Sequence, residues 1–365
     1  MRSLGLMSGT SLDGIDAAII ETDGERVAGF GPAFTLPYDD SFRHALRGVL
    51  GGIGPVAEVE RALTLLHVRA VRDLLALSKA PPVDVVGFHG HTILHRPREA
   101  RTWQIGDGAL LARETGLPVV CDFRSADVAA GGQGAPLVPV FHAALAAPLG
   151  RPIAVLNLGG VGNVTFLGAD GRILAFDTGP GNALLDDWAL AHTGRPVDEG
   201  GALARAGRAD AARVAEFARH PWFAATPPKS LDRDDFRTFA TGLVRGMAAA
   251  DGAATLVAFT AAAVRRASDH LPARPTRWLV CGGGRLNPMV MAALAAALQA
   301  PVEPVEAVGW DGDALEAQAF AFLAVRSLRG LPLTFPETTG TAHPRTGGVV
   351  FDPASLAGPA IAAGG

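Results

Sequence analysis

Near its start the chain reads Leu4-Gly5-Leu6-Met7-Ser8-Gly9-Thr10-Ser11-Leu12-Asp13-Gly14-Ile15-Asp16, an apolar run, a cluster of glycines and hydroxyls, and a second apolar run. The periodicity predicts strands over residues 3–7 and 14–21 with the small-residue turn Ser8-Gly9-Thr10-Ser11 between them. Asp23-Gly24 then predicts a tight hairpin into a third strand over 26–34. About 150 residues later the plan recurs as strand 153–158, turn Gly159-Gly160-Val161-Gly162, strand 163–167, turn Asp170-Gly171 and strand 172–176. Two copies of strand, glycine turn, strand, Asp-Gly turn, strand suggest an internal duplication. The copies share pattern more than identity, so two unrelated hairpins of an α/β protein are the alternative.

Outward from these units, helical spacing is expected over 40–50 and 57–77, a buried strand over 83–88 and another over 117–121. Residues 183–192 read as a helix with Asn182 as N-cap and Gly194 as its stop. A strand over 278–281 leads through Gly282-Gly283-Gly284 to Asn287-Pro288, a cap followed by proline at the first helical position, before a helix over 289–298. The last clear helix is expected over 313–328. Alternating strands and helices make the class α/β. The length of 365 residues favours two domains. We place them at 1–150 and 151–365, with the last helix free to pack back on the first. The tail, 356–365, reads as frayed.

Hydrophobic residues at 48% and charged residues at 19% exclude a disordered chain. A net charge of -4 provides no field to recruit nucleic acid or an acidic membrane surface. Cys121 and Cys281 belong to no metal or disulfide pattern, so a reducing compartment is expected. The N-terminus reaches Gly, Ser and Asp before a signal-type apolar region forms, and the apolar stretch 289–298 falls well short of the roughly 20 residues of a membrane span. A cytoplasmic protein is therefore expected. The only lysines are Lys79 and Lys229, and neither lies in a P-loop. Any nucleoside triphosphate must be held by amides, hydroxyls, a metal ion or arginine.

Several groups could carry chemistry, each with a plain structural alternative. The turn from Gly9 to Asp16 can cradle phosphate, with Asp13 placed to hold Mg²⁺ directly or through water, or it is an ordinary hairpin loop. Gly159, Gly160 and Asn163 pose the same question. Asp177, read as closing the strand that ends at Phe176, is followed by Thr178-Gly179-Pro180-Gly181-Asn182; this is a usual place for a general base and equally for a turn-forming Asp. Gly282, Gly283 and Gly284 suit a nucleotide, but Asn287 replaces the third glycine of a dinucleotide fingerprint.

His89 and His91, at i and i+2 on a strand end, face the same way by simple alternation and could ligate a metal, although loop packing or substrate contact explains them as well. Arg124 could clasp an anion bidentately or pair with Asp122 or Asp127. Glu316 sits in an otherwise apolar helix as a solvated or a buried functional residue; periodicity does not choose.

Eight ordered motifs span the chain from Leu4 to about Leu333: the opening stretch, His89 to Thr92, Asp122 to Pro139, Asn157 to Asn163, Phe176 to Asn182, Pro227 to Ser230, Val280 to Asn287 and Glu316 to Ala324. Together they resemble the anhydro-N-acetylmuramic acid kinase family of the sugar kinase, Hsp70 and actin superfamily. The resemblance implies two RNase H-like, actin/hexokinase-type domains flanking a cleft, with ATP between the glycine turns.

It also implies that ATP and water convert 1,6-anhydro-N-acetylmuramic acid to N-acetylmuramic acid 6-phosphate in peptidoglycan recycling. Asp177 matches the family's catalytic aspartate, and Glu316 is a further catalytic candidate behind the reacting groups or on a metal-bound water. ATP and Mg²⁺ are assigned to Gly9, Thr10, Ser11, Leu12, Asp13, Gly14, Ile15, Asp16, Gly159, Gly160, Asn163, Gly282, Gly283, Gly284 and Asn287. The sugar is assigned to His89, Thr92, Gln104, Asp107, Asp122, Arg124, Asp127, Gly181 and Asn182, with Arg124 a candidate for the lactyl carboxylate.

Three places depart from the family's pattern. His91 stands for Gln, Leu231-Asp232-Arg233 for Thr-Gly-Arg, and Leu333-Thr334-Phe335-Pro336 for Asn-Leu-Pro. A related kinase acting on another sugar or a carboxylic acid, a non-catalytic ATP-gated sugar sensor and a zinc hydrolase using His89 and His91 are the competing readings. The partners expected are ATP and a small anhydro amino sugar, without nucleic acid or membrane; a homodimer stays open.

Overall fold

The computed structural model of the chain describes residues 1–9, 11–77, 82–231 and 236–356. Thr10, Lys79, Asp232, Arg233 and the tail from 357 therefore lie outside the described residues. In chain order the first elements are β1 (Arg2–Ser8), β2 (Gly14–Thr22), β3 (Val27–Pro37), α1 (Asp40–Gly48), α2 (Val56–Leu77), β4 (Val85–Arg96), β5 (Arg101–Ile105), α3 (Gly108–Thr115), β6 (Val119–Cys121), α4 (Ser125–Ala129) and α5 (Pro139–Leu145). Then come β7 (Ile153–Leu158), β8 (Val161–Leu167), β9 (Ile173–Pro180), α6 (Ala183–Thr193), α7 (Ala202–Arg205), α8 (Ala211–Phe217), α9 (Arg237–Val244) and α10 (Ala249–Ser268). The last are β10 (Trp278–Cys281), α11 (Pro288–Leu298), β11 (Val302–Pro304), α12 (Leu315–Leu328) and β12 (Val349–Phe351).

The chain divides into two compact units, one of residues 1–147, 314–336 and 340–365 and the other of residues 148–313 and 337–339. Residues 314–336 and 340–365, placed by the sequence within 151–365, thus belong to the first unit. Each unit carries a mixed sheet, in the order β12-β6-β4-β1-β2-β3 with β5 on β4, and β11-β10-β7-β8-β9. In both, three antiparallel strands are followed by two parallel ones on the far side of the first strand. The duplication suggested by the hairpins is present as a shared topology, the RNase H-like plan twice over; β5 and β12 are additions to the first copy. No helix among the described residues is long and apolar enough to cross a membrane.

The Asp-Gly turns form where expected. Asp23 Oδ1 accepts from the N–H of Glu25 and of Arg26 at 2.8 and 2.7 Å, and Gly24 takes φ 83°. Gly171 does the same at φ 85°. In the first unit α2 covers one face of the sheet, burying Leu63, Val68 and Val71 against Leu4, Leu6, Val86 and Phe88. The other face takes α12, whose backbone lies directly on Gly5 and Gly87: a Cβ built on Gly5 would stand 1.8 Å from Ala317 O, and one on Gly87 would stand 2.1 Å from Phe320 O. Ser3 Oγ donates to Ala321 O at 2.8 Å across the same contact. In the second unit α10 and α11 bury Val257, Ala261, Val290 and Leu294 against Ala154, Leu156, Val164 and Phe176.

Some boundaries move. β8 begins at Val161, so the second glycine turn shrinks to Gly159-Gly160, and β4 runs on through His89 to Arg96. α12 starts at Leu315, two residues later than the periodicity indicates. Asn182 does not cap α6 with its side chain; its Nδ2 donates to Leu158 O at 2.9 Å instead. Gly194 closes that helix at φ 71° as expected, and Asn287 caps α11 by accepting from the N–H of Met289 and Val290.

Candidate active site

In the second unit the chemistry is arranged by strand register. Leu156, Leu158, Val164 and Phe176 point into the core under α10, so period-2 alternation sends Asn157, Asn163 and Asp177 to the opposite face. Asn157 pairs with Asn163 across β7 and β8, and Asn163 pairs with Asp177 across β8 and β9. The three polar side chains therefore stand in one row, each partly exposed. Asp177 does not close its strand: β9 continues to Pro180, because Gly179 and Pro180 still pair with Gly162 and Val161. Asn157 belongs to this row but was not singled out by the sequence. Its signal, a polar residue next to the end of a strand otherwise buried throughout, becomes specific only when the register is known.

The segment after Pro228 grips Asp177 at both ends. The Asp177 N–H donates to Lys229 O at 3.0 Å, and the Leu231 N–H donates to Asp177 Oδ2 at 2.8 Å. Burial pushes the carboxyl up to about 7, opposed by the Leu231 hydrogen bond. A carboxylate balanced near neutrality beside two amides suits a general base.

Lys229 anchors the gripping segment: its Nζ donates to Trp222 O at 3.2 Å and Phe223 O at 3.1 Å and lies 4.3 Å from the centre of the Trp222 ring. Lys229→Met is expected to slacken the Leu231 hydrogen bond that favours the charged carboxylate. The Asp177 pKa then rises further, and the acid limb of the pH profile of kcat/KM moves to higher pH. An unmoved limb would count against the anchor.

The remaining candidates of this unit lie around the glycine turns. Gly181 N–H donates to Gly160 O at 3.0 Å and Asn182 N–H to Gly159 O at 2.8 Å, which brings the start of α6 onto the β7–β8 turn. Gly282, at φ 72°, leaves no room for a Cβ, which would lie 2.3 Å from Asn157 Oδ1, and Gly284 packs on Leu158 and Asn182. Thus Gly159, Gly160, Gly181, Asn182, Gly282 and Gly284 form one cluster beside Asn157, and Gly283 approaches Asn182 Nδ2. Asn287 serves the α11 cap.

In the first unit the turn between β1 and β2 presents Gly9, Ser11 and Asp13, with Ser11 Oγ donating to the exposed Asp13 Oδ1 at 2.7 Å. Leu12 and Ile15 are buried, so their side chains serve the core and only their main chain faces the turn. Gly14 starts β2 against Leu36 O, where a Cβ would stand at 2.5 Å. Asp16 pairs in register with Met7 and Thr35 and accepts from Thr35 Oγ1 at 2.6 Å. By the shared topology Met7, Asp16 and Thr35 correspond to Asn157, Asn163 and Asp177; only the second copy places a carboxylate on its third strand.

His89 and His91 do not face the same way. Leu6 pairs with Phe88 but Ser8 pairs with His91, a bulge at Gly90 with φ 71°, so His91 takes the Phe88 face while His89 stacks on Phe320 of α12 at 4.5 Å. The bulge removes the zinc reading of this pair. Among the described residues no group of three His, Cys, Asp or Glu side chains could hold a metal ion.

His89 is buried: it is 4% exposed, its Nδ1–H donates to Gly90 O at 2.9 Å, and its Nε2 accepts from Arg124 Nε at 3.1 Å. Burial, then the Arg124 charge, holds this imidazole well below its usual pKa, so it is neutral and orients Arg124. Arg124 Nη1 donates to Gly134 O at 2.7 Å, and among the described residues its guanidinium meets neither Asp122 nor Asp127 in a salt bridge. Desolvation lowers it to about 10, offset by the charges of Glu316 and Asp127, so it stays cationic at neutral pH.

Glu316 is half-buried on a helix whose residues 317–326 are all buried, and its charge acts on Arg124. Asp127 is an internal support: 2% exposed, it accepts from Gly134 N–H at 2.7 Å and from the Thr334 hydroxyl. These two donors tie Asp127 to the Gly134 loop and to Thr334. Asp122, at φ 53°, accepts from Ser125 N–H at 3.3 Å. Asp107 caps α3 through Leu110 N–H at 2.8 Å, and Gln104 reaches Thr102 and Thr92 at 2.8 and 3.3 Å. Thr92, Gln104, Asp107, Asp122 and Arg124 keep partial exposure.

A family model described as anhydro-N-acetylmuramic acid kinase matches residues 1–353. The chain belongs to the anhydro-N-acetylmuramic acid kinase family. The anhydro-N-acetylmuramic acid kinase of Paramagnetospirillum magneticum is 68% identical over 350 residues, covering 95% of this chain and 99% of that one. The protein of the same name in Acidiphilium cryptum is 59% identical over 359 residues, covering 98% and 100%. The resemblance carried by the eight motifs is borne out. Anhydro-N-acetylmuramic acid kinases are sugar kinases, hence phosphotransferases. This chain carries a row of polar groups around Asp177 in one unit and the turn with the exposed Asp13 carboxylate in the other.

Proposed function

We propose that the protein uses ATP and water to convert 1,6-anhydro-N-acetylmuramic acid to N-acetylmuramic acid 6-phosphate and ADP, a step in the recycling of peptidoglycan. The observation that carries this reading is Asp177, a carboxylate pushed up to about 7 by burial and standing in register with Asn163 and Asn157.

Water approaching the anomeric carbon gives a proton to Asp177 as its oxygen bonds to that carbon. The bond from the anomeric carbon to O6 breaks and leaves its electron pair on O6. That pair attacks the γ-phosphorus, and the bond to the β–γ bridging oxygen breaks to release ADP. No separate base for O6 is required, so one carboxylate suffices. Phosphoryl transfer asks mainly for alignment and charge neutralisation.

The amides of the turn at Gly9, Gly14 and their neighbours suit phosphate oxygens. The donor set of that turn, the exposed Asp13 carboxylate and the Ser11 hydroxyl, fits Mg²⁺, which takes one or two carboxylates and otherwise water and phosphate oxygens. Asp13 would hold it, and when bound it would supply charge neutralisation at the phosphates. Arg124, oriented by His89, is the cation for the lactyl carboxylate, and Glu316 acts on Arg124 through its charge.

The test is turnover of 1,6-anhydro-N-acetylmuramic acid with Mg-ATP in ¹⁸O-water, with the label located by mass spectrometry. Label at the anomeric carbon of a 6-phosphorylated product is expected. Phosphorylation without label would keep a kinase and reject attack by water. Turnover of another sugar in its place would reject this substrate.

A further inference from the structure

The turn between β1 and β2 is gripped by residues that no step of the reaction employs. Ser8, the last residue of β1, has its Oγ hydrogen-bonded to Tyr38 Oη at 2.7 Å and to His91 Nδ1 at 2.9 Å. All three are buried, at 1%, 4% and 0% exposure. Tyr38 also reaches the other end of the turn, its main-chain N–H donating to Asp13 O at 3.0 Å. Arg43, on α1, closes the frame by donating from Nε to Leu12 O at 3.1 Å and from Nη2 to Tyr38 O at 3.0 Å.

Inside this frame Leu12 holds φ 60°, a left-handed conformation that a leucine resists, with its side chain buried and its N–H on Gly9 O at 3.1 Å. The local sequence therefore disfavours the shape that the turn has. That shape persists because its two ends and its strained residue are each tied to an element outside it. An apolar residue at position 38 could fill the same space but could not fix Ser8, since burial is non-directional and a hydrogen bond is not.

We propose that Tyr38, with Arg43 and His91, is a positioning residue that presets the main-chain amides of this turn for the phosphates of the nucleotide. The proposal rests on the reading of this turn as the phosphate site. Presetting the amides removes the cost of ordering the turn when nucleotide binds, so its loss falls on nucleotide affinity before it falls on the rate of chemistry.

Tyr38 is the only tyrosine of the chain, so one resonance of [¹³Cζ]tyrosine-labelled protein reports on it alone. In the wild type that resonance is expected to move when Mg²⁺ and AMP-PNP are added. Tyr38→Phe should raise the KM for Mg-ATP about fivefold, the size of one hydrogen bond, with kcat changed less. In a Ser8→Ala background the same substitution should add nothing, since it acts through Ser8 Oγ. His91→Leu should match Tyr38→Phe, and His91→Asn, whose short amide can still meet Ser8, should recover most of the KM.

Each variant is checked for folding by its Tm, and His91→Asn tests the idea where larger changes unfold the chain. Independent, multiplying effects of Tyr38→Phe and Ser8→Ala, or an unchanged KM in Tyr38→Phe, would overturn the positioning role while leaving the phosphate site. A wild type whose tyrosine resonance ignores Mg²⁺ and AMP-PNP would overturn the phosphate site, and the positioning role with it.

Discussion

Asp177→Asn is expected to lower kcat by about a thousandfold, within the range of a general base, with little change in the KM for Mg-ATP. The asparagine keeps the acceptor for Leu231 N–H and the place beside Asn163, so the loss isolates the proton acceptor. For the wild type, kcat/KM should rise with pH and level off above about 7, where the carboxylate is ionised.

Stability should move the opposite way. The folded pKa, about 7, stands above the unfolded value near 3.9, so the native state binds the extra proton between these values. Stability is therefore lost as pH rises through this window, and the full penalty of holding a desolvated charge is present above it. Asn carries no charge, so Asp177→Asn should melt above the wild type at pH 8, and the gap should close towards pH 4. Thermal scans at the two pH values check this. An Asp177→Asn protein that melts below the wild type at pH 8 would show that the site does not destabilise its carboxylate.

The second large effect lies far from any reacting atom. Gly5→Ala and Gly87→Ala should each cost about 4 kcal/mol or more, beyond the usual range for an overpacked core. In both cases the added methyl meets backbone rather than a side chain that can turn away: Ala317 O at 1.8 Å and Phe320 O at 2.1 Å. Relief requires α12 to lift from the sheet, which breaks the Ser3 to Ala321 hydrogen bond and exposes the apolar face that β1 and β4 bury. Gly48, the last residue of α1 with open space around it, is the control, since Ala there should be neutral or stabilise by less than about 1 kcal/mol. Urea unfolding of the three variants separates a steric cause from any general cost of losing glycine. Equal midpoints for Gly5→Ala and Gly48→Ala would contradict the close approach of α12.

Much of this architecture is visible without coordinates. The strands over Arg2–Ser8, Gly14–Thr22, Ile153–Leu158 and Trp278–Cys281, the Asp-Gly turns and the Asn287-Pro288 helix start all follow from local period and turn chemistry. Asp177 and Asn163 were legible because a polar residue beside a glycine turn stands out from an apolar run. Asn157 was not, because membership of the row depends on which residue of a neighbouring strand lies opposite. The buried partner of Asp127 was not legible either, because Thr334 follows it by more than 200 positions.

By itself the sequence determines the repeated run of strands, the glycine turns and the membership of an anhydro-N-acetylmuramic acid kinase family, because these reside in spacing between near neighbours and in ordered motifs. Only the tertiary structure decides that His89 and His91 part to opposite faces at the Gly90 bulge and that Arg124 hydrogen-bonds a histidine and a carbonyl. It also decides that α12 returns to lie on Gly5 and Gly87. The physical reason is the same in each case: register, burial and hydrogen-bond partners are set by contacts between residues distant along the chain, and a local period carries no information about them.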